Sequence, residues 1–138
     1  MPLVRRHLAR AGDKDRVDLF AFVLLGMALD DSIVPNISNF ALGRAMGVPI
    51  IEPLLRPEDG FEVLPGPIAG NFAEGLATGG YLQFDRVQND RDEIEMATHN
   101  NTTDSDVGLD AWFHFLTTHW NDGLAEIRDP YAAVSFPE

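Results

Sequence analysis

The chain contains no cysteine. This excludes a disulfide scaffold, a thiol nucleophile and thiolate metal ligands, while leaving the compartment open, since many secreted proteins also lack the residue. Positive charge is scarce as well: ten Lys and Arg stand against 22 Asp and Glu, for a formal net charge of -12. Arg5, Arg6, Arg10, Lys14 and Arg16 all fall near the N-terminus, so the remainder would repel a phosphate backbone and no nucleic-acid partner is expected. Long apolar runs are missing too. The segment Leu19 to Leu29 is far too short to span a bilayer, and Asp13, Asp15 and Asp18 before it and Asp30-Asp31 after it do not suit a signal-peptide core. The expectation is a cytoplasmic protein without a membrane span. The glycines between Gly60 and Gly80 form neither a G-x-G-x-x-G nor a Walker pattern, and no cofactor is expected.

What is present is an ordinary globular composition, 45% hydrophobic and 23% charged over 138 residues, which suits one domain with one core. No repeat or linker divides residues 1–138. Residues 1–16 read as a basic N-terminal helix or arm. Val17 to Leu29 is a continuous apolar run, the pattern of a strand buried on both faces of a parallel sheet, with a buried helix as the competing reading. After Pro35, Asn36 or Ser38 is placed to cap a helix through FALGRAM that Gly47 would end. Val48 to Ile51 suits a short strand. Residues 52–80 carry four prolines and six glycines and read as a long loop. Tyr81 to Val87 and Ile94 to Thr98 suit strands. Thr103 or Asp104 would cap the clearest helix, where Val107, Ala111, Trp112, Phe115, Leu116 and His119 recur at helical spacing before Gly123. The tail from Leu124 reads as irregular. This order predicts an α/β fold: a short parallel sheet with flanking helices.

In such sheets functional side chains sit in loops just past the C-terminal ends of strands. Two loops fit, Ala28 to Asn36 (ALDDSIVPN) and Ala97 to Asn101 (ATHNN). The first, a buried strand followed by D-S-I-V-P, resembles the acid-bearing loop of α/β-hydrolases of the lipase/esterase kind. The second, T-H-N-N before a helix with W-F-H-F-L, resembles that family's histidine loop and terminal helix, and G-L-A-E-I-R-D-P resembles the tails of some bacterial lipase-like members. The resemblance runs from Val17 to Tyr131, and acid before histidine is the family's order. It implies the C-terminal part of an α/β-hydrolase layer, with Asp31 as the acid and His99 as the base. Asp30 is the alternative acid, one residue of register away.

The departure concerns the nucleophile. The family places a serine in G-x-S-x-G well before the acid, and its oxyanion donors come from that turn and an earlier loop. Here Ser32, Ser38, Ser105 and Ser135 all lie outside that motif, and only thirty residues precede Asp31. The resemblance therefore implies a hydrolase fragment that is inactive alone and needs a polypeptide carrying the serine half. The competing readings are a non-catalytic self-associating module and a small-molecule binder. A homodimer is expected, because a sheet lacking its preceding strands exposes an edge and an apolar face. Asp30 and Asp31 as turn caps and His99 as a loop residue are the plain alternatives. His114 and His119, five apart, suit packing or the surface better than metal ligation. A site from His99, Asp104 and Asp106 is conceivable, but acidic residues there more often cap a helix, and no metal is expected. Trp112, Phe113, Phe115 and Trp120 read as core or interface.

Overall fold

A computed structural model describes residues 22–132, 134 and 136. The basic N-terminal helix or arm expected for residues 1–16, and the part of the apolar run before Phe22, lie outside the described residues. Strand β1 (Phe22–Ala28) is the rest of that run, and a strand rather than a helix. It is followed by helix α1 (Asn36–Met46), β2 (Ile50–Ile51), β3 (Val63–Leu64), β4 (Ile68–Ala69), a 3-10 turn (Ala73–Gly75) and β5 (Thr78–Phe84). The chain then forms β6 (Arg86–Gln88), β7 (Ile94–Met96), helix α2 (Asp106–Asp122) and β8 (Glu126–Ile127).

The architecture is α/β: a parallel four-stranded sheet, β1-β5-β2-β3, with one helix on each face. β1 and β5 pair in parallel along their whole length, from Phe22 opposite Thr78 to Ala28 opposite Phe84. Alternation along the strands divides their apolar residues between two cores. Met27, Leu29, Ile50 and Tyr81 pack with Phe40 of α1, whereas Leu24, Ala28, Ile51, Leu82 and Phe84 pack with Val107, Ala111 and Phe115 of α2. This division explains the unbroken apolar pattern, since both faces of the sheet are covered.

Residues 52–80 are not the structureless loop the breakers suggest. Two short strands cross the segment, and β5 begins at Thr78 rather than Tyr81. Gly79 and Gly80 belong to that strand, where they admit close neighbours. A Cβ on Gly80 would lie 2.6 Å from Ile127 Cδ1 and 2.7 Å from Ile51 Cγ1. The strand expected over 81–87 stops at Phe84, and Arg86–Gln88 turns away to pair antiparallel with β7. The tail is also more ordered than expected, because β8 pairs antiparallel with β4. Helix α2 is capped by Ser105, whose side chain accepts from the Gly108 N–H, and ends at left-handed Gly123. Among the described residues no helix is long and apolar enough to cross a membrane.

Candidate functional site

Because Ala28 and Phe84 are paired at the C-terminal ends of β1 and β5, the segments leaving them emerge side by side. After β1 the chain turns at once: Leu29 N–H bonds the Phe84 carbonyl at 2.8 Å, and Asp30 adopts a left-handed conformation at φ 58. Asp31 follows. Its Oδ1 accepts from the backbone N–H groups of Ile33 (2.8 Å) and Val34 (3.2 Å), closing a turn that fixes the carboxylate. After β5 the chain makes the β6–β7 hairpin and returns in a tight loop. Asn101 ties this loop together, accepting from Thr98 N–H at 2.7 Å and donating to the Met96 carbonyl at 3.1 Å. His99 sits in it.

The structure brings the two residues together across 68 positions of sequence: His99 Nδ1 lies 3.0 Å from Asp31 Oδ2. The Asp31 side chain is only 5% exposed and that of His99 45%. Desolvation pushes the Asp31 pKa up, but the hydrogen bonds from Ile33, Val34 and His99, together with the charge of His99, outweigh it and hold the carboxyl below its ordinary value of 3.8. An ionised carboxylate only accepts, so Nδ1 carries a proton, and in the neutral ring Nε2 keeps its lone pair.

A depressed folded-state pKa means that Asp31 binds its proton more readily when the chain is unfolded. Its contribution to stability is therefore complete above the unfolded value and lost as pH falls below about 3.8. The stability difference between the wild type and Asp31→Asn, measured by urea unfolding, is expected to shrink on acidification through that range. A difference independent of pH would contradict this.

Asp30 does not share the site. Its side chain is 69% exposed and pairs with Arg56 at 2.8 Å. The acid–histidine pair stands at a cleft with a cavity of about 180 Å³, lined by Met27, Val34, Phe84, Thr102 and Trp112 among others, with no serine in its wall among the described residues. Ser105 is committed to capping, donating to the Thr102 carbonyl at 2.8 Å while accepting from Gly108. His114 pairs with Glu126 at 2.9 Å. Among the described residues His99, Asp104 and Asp106 form no metal-holding group, nor does any other set of three. Of the four aromatics on α2, Phe115 alone is buried; Trp112 faces the cleft, and Trp120 is 89% exposed.

Sequence reasoning missed the residues that build the acid loop. Asn36 caps no helix. Its side chain reaches back to Ala28 and Asp30, where Arg56 joins it, and Arg56 is held in turn by Gln83. The one signal was Gln83, a polar residue inside an otherwise apolar strand, YLQF. Comparisons of the chain with protein-family models, curated proteins and solved structures find no match.

Proposed function

We propose that the chain carries the acid and base of a serine-hydrolase-type site, of the lipase/esterase-like α/β-hydrolase kind, and acts on carboxylic esters only with a polypeptide that supplies the nucleophile. One observation carries this reading: the 3.0 Å contact between a nearly buried carboxylate, in the loop after β1, and a half-exposed imidazole, in the loop after the β6–β7 hairpin. In the proposed reaction Asp31 fixes the Nδ1–H tautomer. Nε2 takes the proton of an attacking hydroxyl as its oxygen bonds to the ester carbonyl, then returns that proton to the leaving alkoxide. The cleft is smaller than the roughly 300–1,000 Å³ of usual ligand pockets, which favours a short acyl group, or completion of the cavity by the partner. Cytoplasmic placement belongs to the same reading.

Two reagents test it. A fluorophosphonate, which needs an activated serine, is expected to leave the isolated chain unlabelled; stoichiometric labelling at any serine would show that the chain has its own nucleophile. Diethyl pyrocarbonate, which acylates unprotonated imidazole nitrogen, is expected to modify His99 faster in the wild type than in Asp31→Asn at a pH high enough that the ring is neutral in both, where the carboxylate makes Nε2 the more nucleophilic. Equal rates would remove the basis for a paired acid and base.

A non-catalytic, self-associating module is the second reading. It is favoured by Leu109, Trp112, Phe113, Leu116 and Trp120, which form an exposed apolar stripe along α2 at helical spacing. Under either reading a homodimer is expected, covering that stripe with two-fold symmetry. Light scattering at micromolar concentration should give twice the monomer mass of 15.2 kDa, and a monomer would contradict it.

A further inference from the structure

We propose that Arg56 and Asn36 are positioning residues that set the acid loop so that Asp31 meets His99. The inference deepens the acid–histidine reading of the site and rests on it. Between Ala28 and Asn36 the chain leaves the sheet, turns through left-handed Asp30 and enters α1. The bonds from Ile33 and Val34 fix the Asp31 carboxylate within its own turn, and a tether across the mouth of the loop sets where that turn sits against the sheet. Asn36 provides that tether. Its Oδ1 accepts from Asp30 N–H at 2.7 Å, and its Nδ2 donates to the Ala28 carbonyl at 2.8 Å, so the two ends of the loop are joined.

Arg56 sets the height of the tethered loop. One guanidinium nitrogen donates to Asn36 Oδ1 at 3.0 Å and another to Asp30 Oδ1 at 2.8 Å, a two-acceptor grip that a planar fork makes and an ammonium does not. Arg56 is itself anchored from behind. Gln83, fully buried in β5, accepts from the N–H groups of Leu55 and Arg56, both at 2.9 Å, and donates to the Arg56 carbonyl at 2.8 Å. The sheet thus fixes Gln83, Gln83 fixes the Arg56 backbone, and the guanidinium fixes the segment next to Asp31. None of these side chains has a hydrogen bond to His99; they act through Asp31.

A role confined to general stability would leave the histidine tautomer unchanged in folded variants, and that separates the two. The full chain is compared with Arg56→Ala, Arg56→Lys and, as a remote control, Arg44→Ala. The His99 ring is followed by long-range 1H–15N NMR near neutral pH, and folding by far-ultraviolet circular dichroism. In Arg56→Ala the single Nδ1–H signature is expected to give way to mixed tautomers, Arg56→Lys should not restore it, and Arg44→Ala should match the wild type. If Arg56→Ala does not fold, Asn36→Asp, which keeps the acceptor but loses the donor to Ala28, is expected to show the same loss. A folded Arg56→Ala or Asn36→Asp with the wild-type signature would overturn the proposal. A wild type that itself lacks the Nδ1–H signature would overturn the acid–histidine reading and the proposal with it.

Discussion

Replacing Gly108 with alanine is expected to destabilise the protein by about 3 kcal/mol, the upper end of ordinary overpacking. Helix propensity points the other way, since Gly to Ala inside a helix ordinarily gains about 1 kcal/mol. Packing decides the sign. A Cβ on Gly108 would stand 1.9 Å from the Thr102 carbonyl oxygen and 3.2 Å from Thr103 Cα, which are backbone atoms with no rotamer to yield. Relief requires shifting either the first turn of α2 or the loop between Thr98 and Ser105. That loop is closed by Thr102 N–H to the Thr98 carbonyl and by Ser105 N–H to the Asn101 carbonyl, so it moves as a unit and carries His99 with it. Urea unfolding should show a lower midpoint with an unchanged slope. A midpoint equal to or above that of the wild type would mean that helix and loop are farther apart than described.

The second large effect concerns turnover. On p-nitrophenyl esters of short and long acyl chains, the purified chain is expected to hydrolyse no faster than buffer, about a billionfold or more below a complete enzyme, in which the serine–histidine–acid set gives about a millionfold and the oxyanion hole with binding about 10³–10⁴-fold more. In the proposed site the part of Asp31 and His99 is proton transfer, which contributes about 10²–10⁴-fold and needs a positioned nucleophile on which to act. Electrostatic stabilisation of the oxyanion, which usually lowers the barrier more than proton transfer does, needs donors aimed at a bound acyl group. Among the described residues the cleft wall offers the hydroxyl groups of Thr98, Thr102 and Thr103 but no serine, and Thr102 Oγ1 already donates to the Thr98 carbonyl at 2.7 Å. Saturable turnover abolished by His99→Ala would show that the chain completes its own site.

The legible parts of the molecule are those written in local pattern. The apolar run ending at Ala28 is a strand buried on both faces, and the spacing of Val107, Ala111 and Phe115 places one face of α2 in the core. Asp31 was legible as a candidate because it follows a parallel strand at the end where such sheets carry function, whereas the strand before His99 reads as one more of that sheet and is in fact β7, paired antiparallel with β6. Asp30 and Asp31 were not separable by sequence. What separates them is a left-handed backbone at Asp30, which leaves that side chain outside with Arg56 and the next one inside against His99. The tether was illegible for a different reason. Asn36, Arg56 and Gln83 lie 20 or more positions apart, and nothing in a local window links an asparagine after proline to an arginine in a proline-rich segment. Gly79 and Gly80 misled because glycine signals both a turn and a close approach, and here Ile51, Ile127 and Phe72 occupy the space of the missing side chains.

The central claim is that Asp31 holds His99 with Nδ1 protonated and Nε2 free to accept a proton. The most direct measurement is a long-range 1H–15N correlation of the His99 ring, in the wild type and in Asp31→Asn, near neutral pH. The wild type is expected to show one tautomer, with the proton on Nδ1. In Asp31→Asn that preference should be lost, because the asparagine amide offers the ring a donor as well as an acceptor. A wild-type ring protonated on Nε2, or one whose tautomer is the same with and without the Asp31 carboxylate, would contradict the claim.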